Sequence, residues 1–118
     1  MKIAIPVDET RKSVCVSFGR APFFLFHDRD SGKTELLPNP GAEAQGGAGL
    51  KAAQFVVDGE ADVLITVRCG ENAAKVFQAA DMKIYEAQGL DVESNLQACK
   101  EKKLAELTHF HAGYHGIR

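Results

Sequence analysis

Between an apolar opening run and the aromatic run Phe23-Phe24-Leu25-Phe26 lies the stretch Val14-Cys15-Val16-Ser17-Phe18-Gly19-Arg20-Ala21-Pro22. It gathers a thiol, a hydroxyl, a glycine and a guanidinium in one loop. Thiolates are soft metal ligands, and a guanidinium grips anions through a planar fork of donors. Arg68-Cys69-Gly70 repeats that pairing further along the chain. The loop from Pro38 to Gly49 adds Gly41, Gly46, Gly47 and Gly49 just before a helical pattern. Free amides at a helix start, approached closely because glycine has no side chain, favour an anion by hydrogen bonding and by the helix dipole. The loop matches neither GxxxxGK[ST] nor a clean GxGxxG, so it is no nucleotide signature, and a plain glycine-rich turn is the alternative.

The elements that must position these groups alternate in hydrophobic period, as in a layered α/β fold. Ile3, Ile5 and Val7 share one face of a strand over residues 2–7, with Pro6 marking a lightly bonded side. Residues 22–28 form a second strand, and Asp30-Ser31-Gly32-Lys33 turns the chain into a third at 34–37. A helix over 46–57 carries Leu50, Ala53, Val56 and Val57 on one face and ends at Gly59. Val63-Leu64-Ile65-Thr66-Val67 reads as a central parallel strand covered on both faces. A helix through Ala73, Val76, Phe77 and Ala80, a short strand at 83–85, and a helix capped by Asp91 complete the pattern. Residues 1–107 make one domain, and 108–118 a flexible tail rich in histidine and glycine.

Right-handed crossovers then give a five-stranded mixed sheet of order 3-2-1-4-5 with strand 2 antiparallel. Loops 8–20, 38–49 and 68–71 emerge at one edge, called the upper edge below. Open α/β sheets bind ligands at such carboxyl ends, so Cys15, Arg20, Arg68 and Cys69 are expected to converge there. Nearby guanidinium groups favour thiolate over thiol. The plainer alternatives are small loop residues for the cysteines and loop-fixing ion pairs for the arginines.

Composition narrows the function classes. The 118 residues are 45% apolar and 25% charged, which suits one globular domain. A formal charge of −2, from 16 acidic and 14 basic side chains, argues against nucleic acid or an anionic membrane as partner. No apolar run approaches a bilayer span and no signal segment is evident, so a cytoplasmic location is expected. Cys15, Cys69 and Cys99 are too few and too widely spaced for a disulfide framework or a CxxC zinc motif. Cys99, on an apolar helix face, reads as core. The tail holds His109, His111 and His115, which could ligate a metal but define no geometry. His27, near the end of a strand, reads as structural.

Met1-Lys2-Ile3-Ala4-Ile5-Pro6-Val7-Asp8-Glu9, then Phe18-Gly19-Arg20-Ala21-Pro22-Phe23-Phe24, then Asn39-Pro40 with the glycine loop entering Gly49-Leu50-Lys51-Ala52-Ala53-Gln54, resemble the dinitrogenase iron-molybdenum cofactor biosynthesis family. That group includes NifX-like and NifB C-terminal-type domains and the orange protein. Residues 61–80 are similar too, so the resemblance covers nearly residues 1–100. It implies a ribonuclease H-like three-layer α/β/α fold and a role in binding, carrying or inserting an iron-sulfur or molybdenum-containing metal-sulfur cluster. Many relatives carry histidine just before Phe-Gly-Arg; here the residue is Ser17, and Cys15 offers sulfur instead.

Together these readings give a non-catalytic carrier or scaffold for a metal-sulfur cluster, serving a metallocofactor assembly or recipient protein, as a monomer or weak homodimer. Cys15, Ser17, Phe18, Gly19, Arg20, Gly46, Gly47, Arg68, Cys69 and Gly70 would form the cofactor site, with Cys15 and Cys69 as sulfur ligands. The rival reading is a small regulatory module that recognises a phosphorylated metabolite or nucleotide at the glycine loop. An enzyme is disfavoured. Asp8 and Glu9 belong to the upper edge, Asp28 and Asp62 to the opposite one, so no carboxylate cluster forms for two-metal chemistry, and no nucleophile elbow is present.

Overall fold

A computed structural model describes residues 1–110. Its elements run β1 (Lys2–Val7), β2 (Phe23–Asp28), β3 (Thr34–Pro38), α1 (Ala48–Asp58), β4 (Val63–Thr66), α2 (Glu71–Ala79), β5 (Lys83–Glu86) and α3 (Val92–Lys100). The sheet order is β3-β2-β1-β4-β5, with β2 antiparallel to both neighbours and β1, β4 and β5 parallel. This is the expected order, and it is compatible with a ribonuclease H-like arrangement.

Period-two alternation sorts the strands' side chains into two cores. Ala4, Phe24, Phe26, Leu64 and Ile84 face α1 and α2, packing on Ala52, Val56, Ala73 and Phe77. Ile3, Ile5, Val7, Leu25 and Ile65 face α3, packing on Val92 and Cys99. Cys99 is therefore core. Every residue of β4 is buried, as a strand covered on both faces requires.

Pro6 has a specific effect at the upper edge. It cannot donate to a ladder, and the β1–β4 pairing stops at Ala4–Leu64. The vacated position beside β1 is taken by the next loop: Val14 bridges Val7, and the Cys15 amide donates to the Pro6 carbonyl at 2.8 Å. α1 starts at Ala48 rather than 46, because Gly47 is its N-cap with φ 68°, a left-handed conformation outside the helix. Asp91 caps α3 as expected, accepting from the Ser94 amide at 2.7 Å.

One pairing is absent from the sequence reading. After α3 the chain returns along β5: Glu86 donates to Ala105 and Leu107 to Ile84, both at 2.8 Å, and Tyr85 bridges Glu106. Leu107 and Phe110 then pack against the α1/α2 core. The segment covers the outer edge of β5; residues 111–118 of the expected 108–118 tail lie outside the described residues.

Candidate functional site

The loop of residues 8–20 passes over the top of the sheet. Val14 is buried in the α3-side core and Phe18 in the α1/α2-side core, so Cys15, Val16 and Ser17 make the crossing. Phe18 anchors the far end, with its ring edge-on to Phe24 of β2 at 5.4 Å and to Phe77 of α2 at 5.6 Å between centroids. Ser17 tightens the turn that follows, its Oγ accepting the Arg20 amide at 3.3 Å.

Beyond Phe18, backbone meets backbone. A Cβ on Gly19 would lie 2.9 Å from the Gly49 nitrogen, and one on Gly41 would lie 2.6 Å from the Ala48 carbonyl oxygen and 3.1 Å from that of Gly19. Glycine at 19 and 41 lets the Phe-Gly-Arg turn, the glycine loop and the first turn of α1 come into contact. Gly46 and Gly47 are exposed and open to solvent at the same place. α1 has no side-chain cap and no acidic residue in its first turn, so its leading amides are unneutralised.

Arg20 is exposed and donates from Nη1 to the carbonyls of Ala44 and Ala42, the latter at 3.4 Å. It thus ties down the glycine loop and leaves the rest of its donor fork available. Arg68 is exposed as well, and its carbonyl accepts from Thr66 Oγ1 at 3.1 Å. Gly70 is the N-cap of α2, and Cys69 shares a core with Phe18 and Phe77. Loops 8–20 and 38–49 therefore meet at the upper edge through Gly19, Gly41 and Gly49, while loop 68–71 is linked to them through the buried cluster that Cys69 shares with Phe18.

The two edge thiols differ from the thiolate expectation. Cys69 is fully buried and donates to the Gly70 carbonyl at 3.5 Å. Burial pushes its pKa up to about 12, so at neutral pH it is a protonated core thiol. Cys15 is half-buried; its pKa is raised chiefly by burial and further by Asp8 and Glu9, against a hydrogen bond from the Ser17 backbone. Neither arginine contributes to either shift. The turn into α2 directs Cys69 inward, which the motif alone does not reveal. Among the described residues no three histidine, cysteine or acidic side chains are grouped to hold a metal ion. His109 is exposed and follows the segment that runs down β5 away from the upper edge; His111 and His115 lie outside the described residues.

Asn39 is the residue sequence reasoning missed. It is only 5% exposed, and its Nδ2 donates to the carbonyls of Gly19 at 3.0 Å and Ala21 at 2.8 Å while Oδ1 accepts from the Gly41 amide at 2.8 Å. Its place in Asn39-Pro40, before a glycine, carried the signal of an Asx turn. Two grooves of about 460 and 470 Å³ flank α3 and are lined by none of these residues. Among the described residues no helix is long and apolar enough to cross a membrane.

Comparison with known proteins agrees with this architecture. The apo form of the orange protein from Desulfovibrio gigas superposes with a TM-score of 0.83 at 28% identity, over 91% of this chain and 92% of that one. A protein from Thermotoga, provisionally described as a NifB protein of the DUF35 family, gives a TM-score of 0.78 at 33% identity, over 96% and 98%. A Methanocaldococcus jannaschii protein at 24% identity and a TM-score of 0.72, over 92% and 96%, supports the fold alone. No curated protein matches. The sequence profile described as dinitrogenase iron-molybdenum cofactor matches residues 1–102, and the chain belongs to that family.

Proposed function

We propose that this chain is a non-catalytic carrier or scaffold that holds an iron-sulfur or molybdenum-containing metal-sulfur cluster as cargo at the upper edge, in the assembly or delivery of a metallocofactor. The observation that carries the reading is family membership over residues 1–102, on a chain whose Phe18-Gly19-Arg20 turn is packed against the open amino end of α1. A sulfide-bridged cluster is an anion. Arg20, Arg68, the Gly46–Gly49 amides and the Gly70 turn supply positive charge and donors suited to it. Cys15 is the accessible sulfur, able to ligate once it gives up its proton to solvent. Cys69 serves as packing beneath the site, since coordination would require it to leave the core. The cluster's chemistry belongs to the recipient; the carrier's own residues bind and release it.

One observation favours a second reading, recognition of a phosphorylated metabolite or nucleotide. Both thiols are protonated at neutral pH, and a phosphate needs only the arginines and amides. Anaerobic reconstitution with ferrous iron, molybdate and sulfide, followed by metal and sulfide analysis and visible absorption, separates the two. A carrier gains stoichiometric metal and sulfide and loses retention on Cys15→Ser. Absence of bound cluster together with tight nucleotide binding, indifferent to Cys15→Ser, overturns the proposal.

A further inference from the structure

The upper edge joins segments remote in sequence, and the contacts between their backbones are made through glycines, which supply no side-chain bonds of their own. Gly19 lies against Gly49, and Gly41 against Ala48 and Gly19. Such surfaces touch without locking. Besides the exposed Arg20 contacts to Ala42 and Ala44, the buried lock is a carboxamide: Asn39 bonds Gly19, Ala21 and Gly41 at once. Its own amide adds a fourth bond, to the Pro22 carbonyl at 3.0 Å. Satisfying two carbonyls and one amide from one planar group needs two donors and an acceptor, which aspartate lacks and which glutamine places one carbon too far out.

Each of these bonds holds a part of the candidate site. Gly19 and Ala21 flank Arg20, so their carbonyls fix where the guanidinium leaves the backbone. Gly41 opens the loop whose Ala42 and Ala44 carbonyls receive Arg20 Nη1. The same glycine sits on the Ala48 carbonyl at the start of α1. We propose that Asn39 is the positioning residue of the upper edge, setting the spacing between the Arg20 turn and the leading amides of α1. This deepens the cluster-carrier reading and rests on it for the identity of the ligand. Two anion-binding elements held at a fixed separation grip a rigid multivalent anion together; let loose, each binds it singly.

Asn95 offers a matched control. It too is a buried asparagine that fastens a loop by its side chain, but the loop is Gln88–Asp91, which pairs with Lys12–Val14 rather than with the Arg20 turn or the start of α1. The test compares Asn39→Ala and Asn95→Ala, under conditions of equal fractional stability, by two measurements. The first is amide hydrogen exchange at Gly41 and at Lys51, whose amide donates to the Gly47 carbonyl at 3.0 Å in the first turn of α1, in the metal-free protein, expected to quicken about tenfold or more in Asn39→Ala and not in Asn95→Ala. The second is metal retained on gel filtration after reconstitution with ferrous iron, molybdate and sulfide, expected to fall about 10- to 100-fold in Asn39→Ala alone, as when a ligand's supporting partner is lost. If Asn39→Ala fails to fold, Asn39→Asp keeps the shape and the Gly41 contact, loses both donors, and is read by the same measurements. Equal exchange and equal retention in the two variants overturn the proposal. Retention lost equally in both, scaling with stability, also overturns it. Wild-type protein that takes up no metal overturns the cluster reading instead, and the positioning role is then decided by exchange alone.

Discussion

Asn39 and Asn95 are both buried carboxamides that fasten loops, but they span very different lengths of chain. The partners of Asn95 lie four to seven residues away, within the turn that leads into its own helix. Asn39 reaches 18 and 20 residues back to the Phe-Gly-Arg turn. The Asn95 side chain therefore fastens only its own turn, although the backbone of that turn also pairs with Lys12–Val14. The candidate site exists only after the sheet has brought distant loops together, and close glycine contacts leave it little tolerance. A site of this kind can be damaged in its binding while the α3 side stays whole.

The strongest way to break the contrast is Phe18→Ala. The ring is 5% exposed and joins β2 to α2, and its removal should cost about 3–5 kcal/mol in urea unfolding. An effect under 1 kcal/mol would mean the turn is not anchored where described. Alkaline pH gives the next largest effect. The Cys69 thiol is raised from 9.0 to about 12 in the folded chain, so its contribution is full below about pH 9 and lost as pH rises towards 12. A shift of that size corresponds to at most ~4 kcal/mol, and Cys69→Ala should flatten the decline of stability between pH 9 and 11. Cys15 and Cys99 shift in the same direction and would keep part of the slope.

Smaller effects sharpen the same comparison. Gly41→Ala forces a methyl onto the Ala48 carbonyl and should cost about 1–3 kcal/mol, whereas Gly46→Ala meets open space and should stay within about 0.5 kcal/mol. On the α3 side, Asp91→Ala removes a cap bonded to the Ser94 amide and hydroxyl, for a loss of about 1 kcal/mol in thermal unfolding. Retained metal after reconstitution should follow Gly41→Ala and ignore Asp91→Ala.

Much of the frame was legible in the sequence because hydrophobic period is a local signal. Ile3, Ile5 and Val7 alternate, Val63–Thr66 is apolar throughout, and Asp91 sits one residue before the helix it caps. Sheet order followed from these elements and the handedness of crossovers, and with it the contact between loop 8–20 and the glycine loop. Burial state was not legible in the same way. Cys69 follows an exposed arginine in a turn, yet the N-terminal geometry of α2 swings it into the core beside Phe77. Asn39-Pro40-Gly41 signals a local Asx turn but not the other two bonds of Asn39, which depend on carbonyls 18 and 20 positions away. Residues 105–107 lack strand periodicity; β5's unpaired backbone groups, rather than their own pattern, make them extend.

β1 lies at the centre of the sheet yet precedes both its neighbours in the chain. On a growing polypeptide it meets β2 first, across the loop of residues 8–22, and β4 only after Val63 has emerged. The β1–β2–β3 meander can thus gather early, with the Phe18 turn and Asn39 within it, while Phe77 and the floor of the candidate site wait for later residues. Pulse-labelled exchange during refolding should find β1 and β2 protected before β4 and β5. The order of synthesis then matches the order of assembly, with the grip on Arg20 placed before the helix it will face has been made.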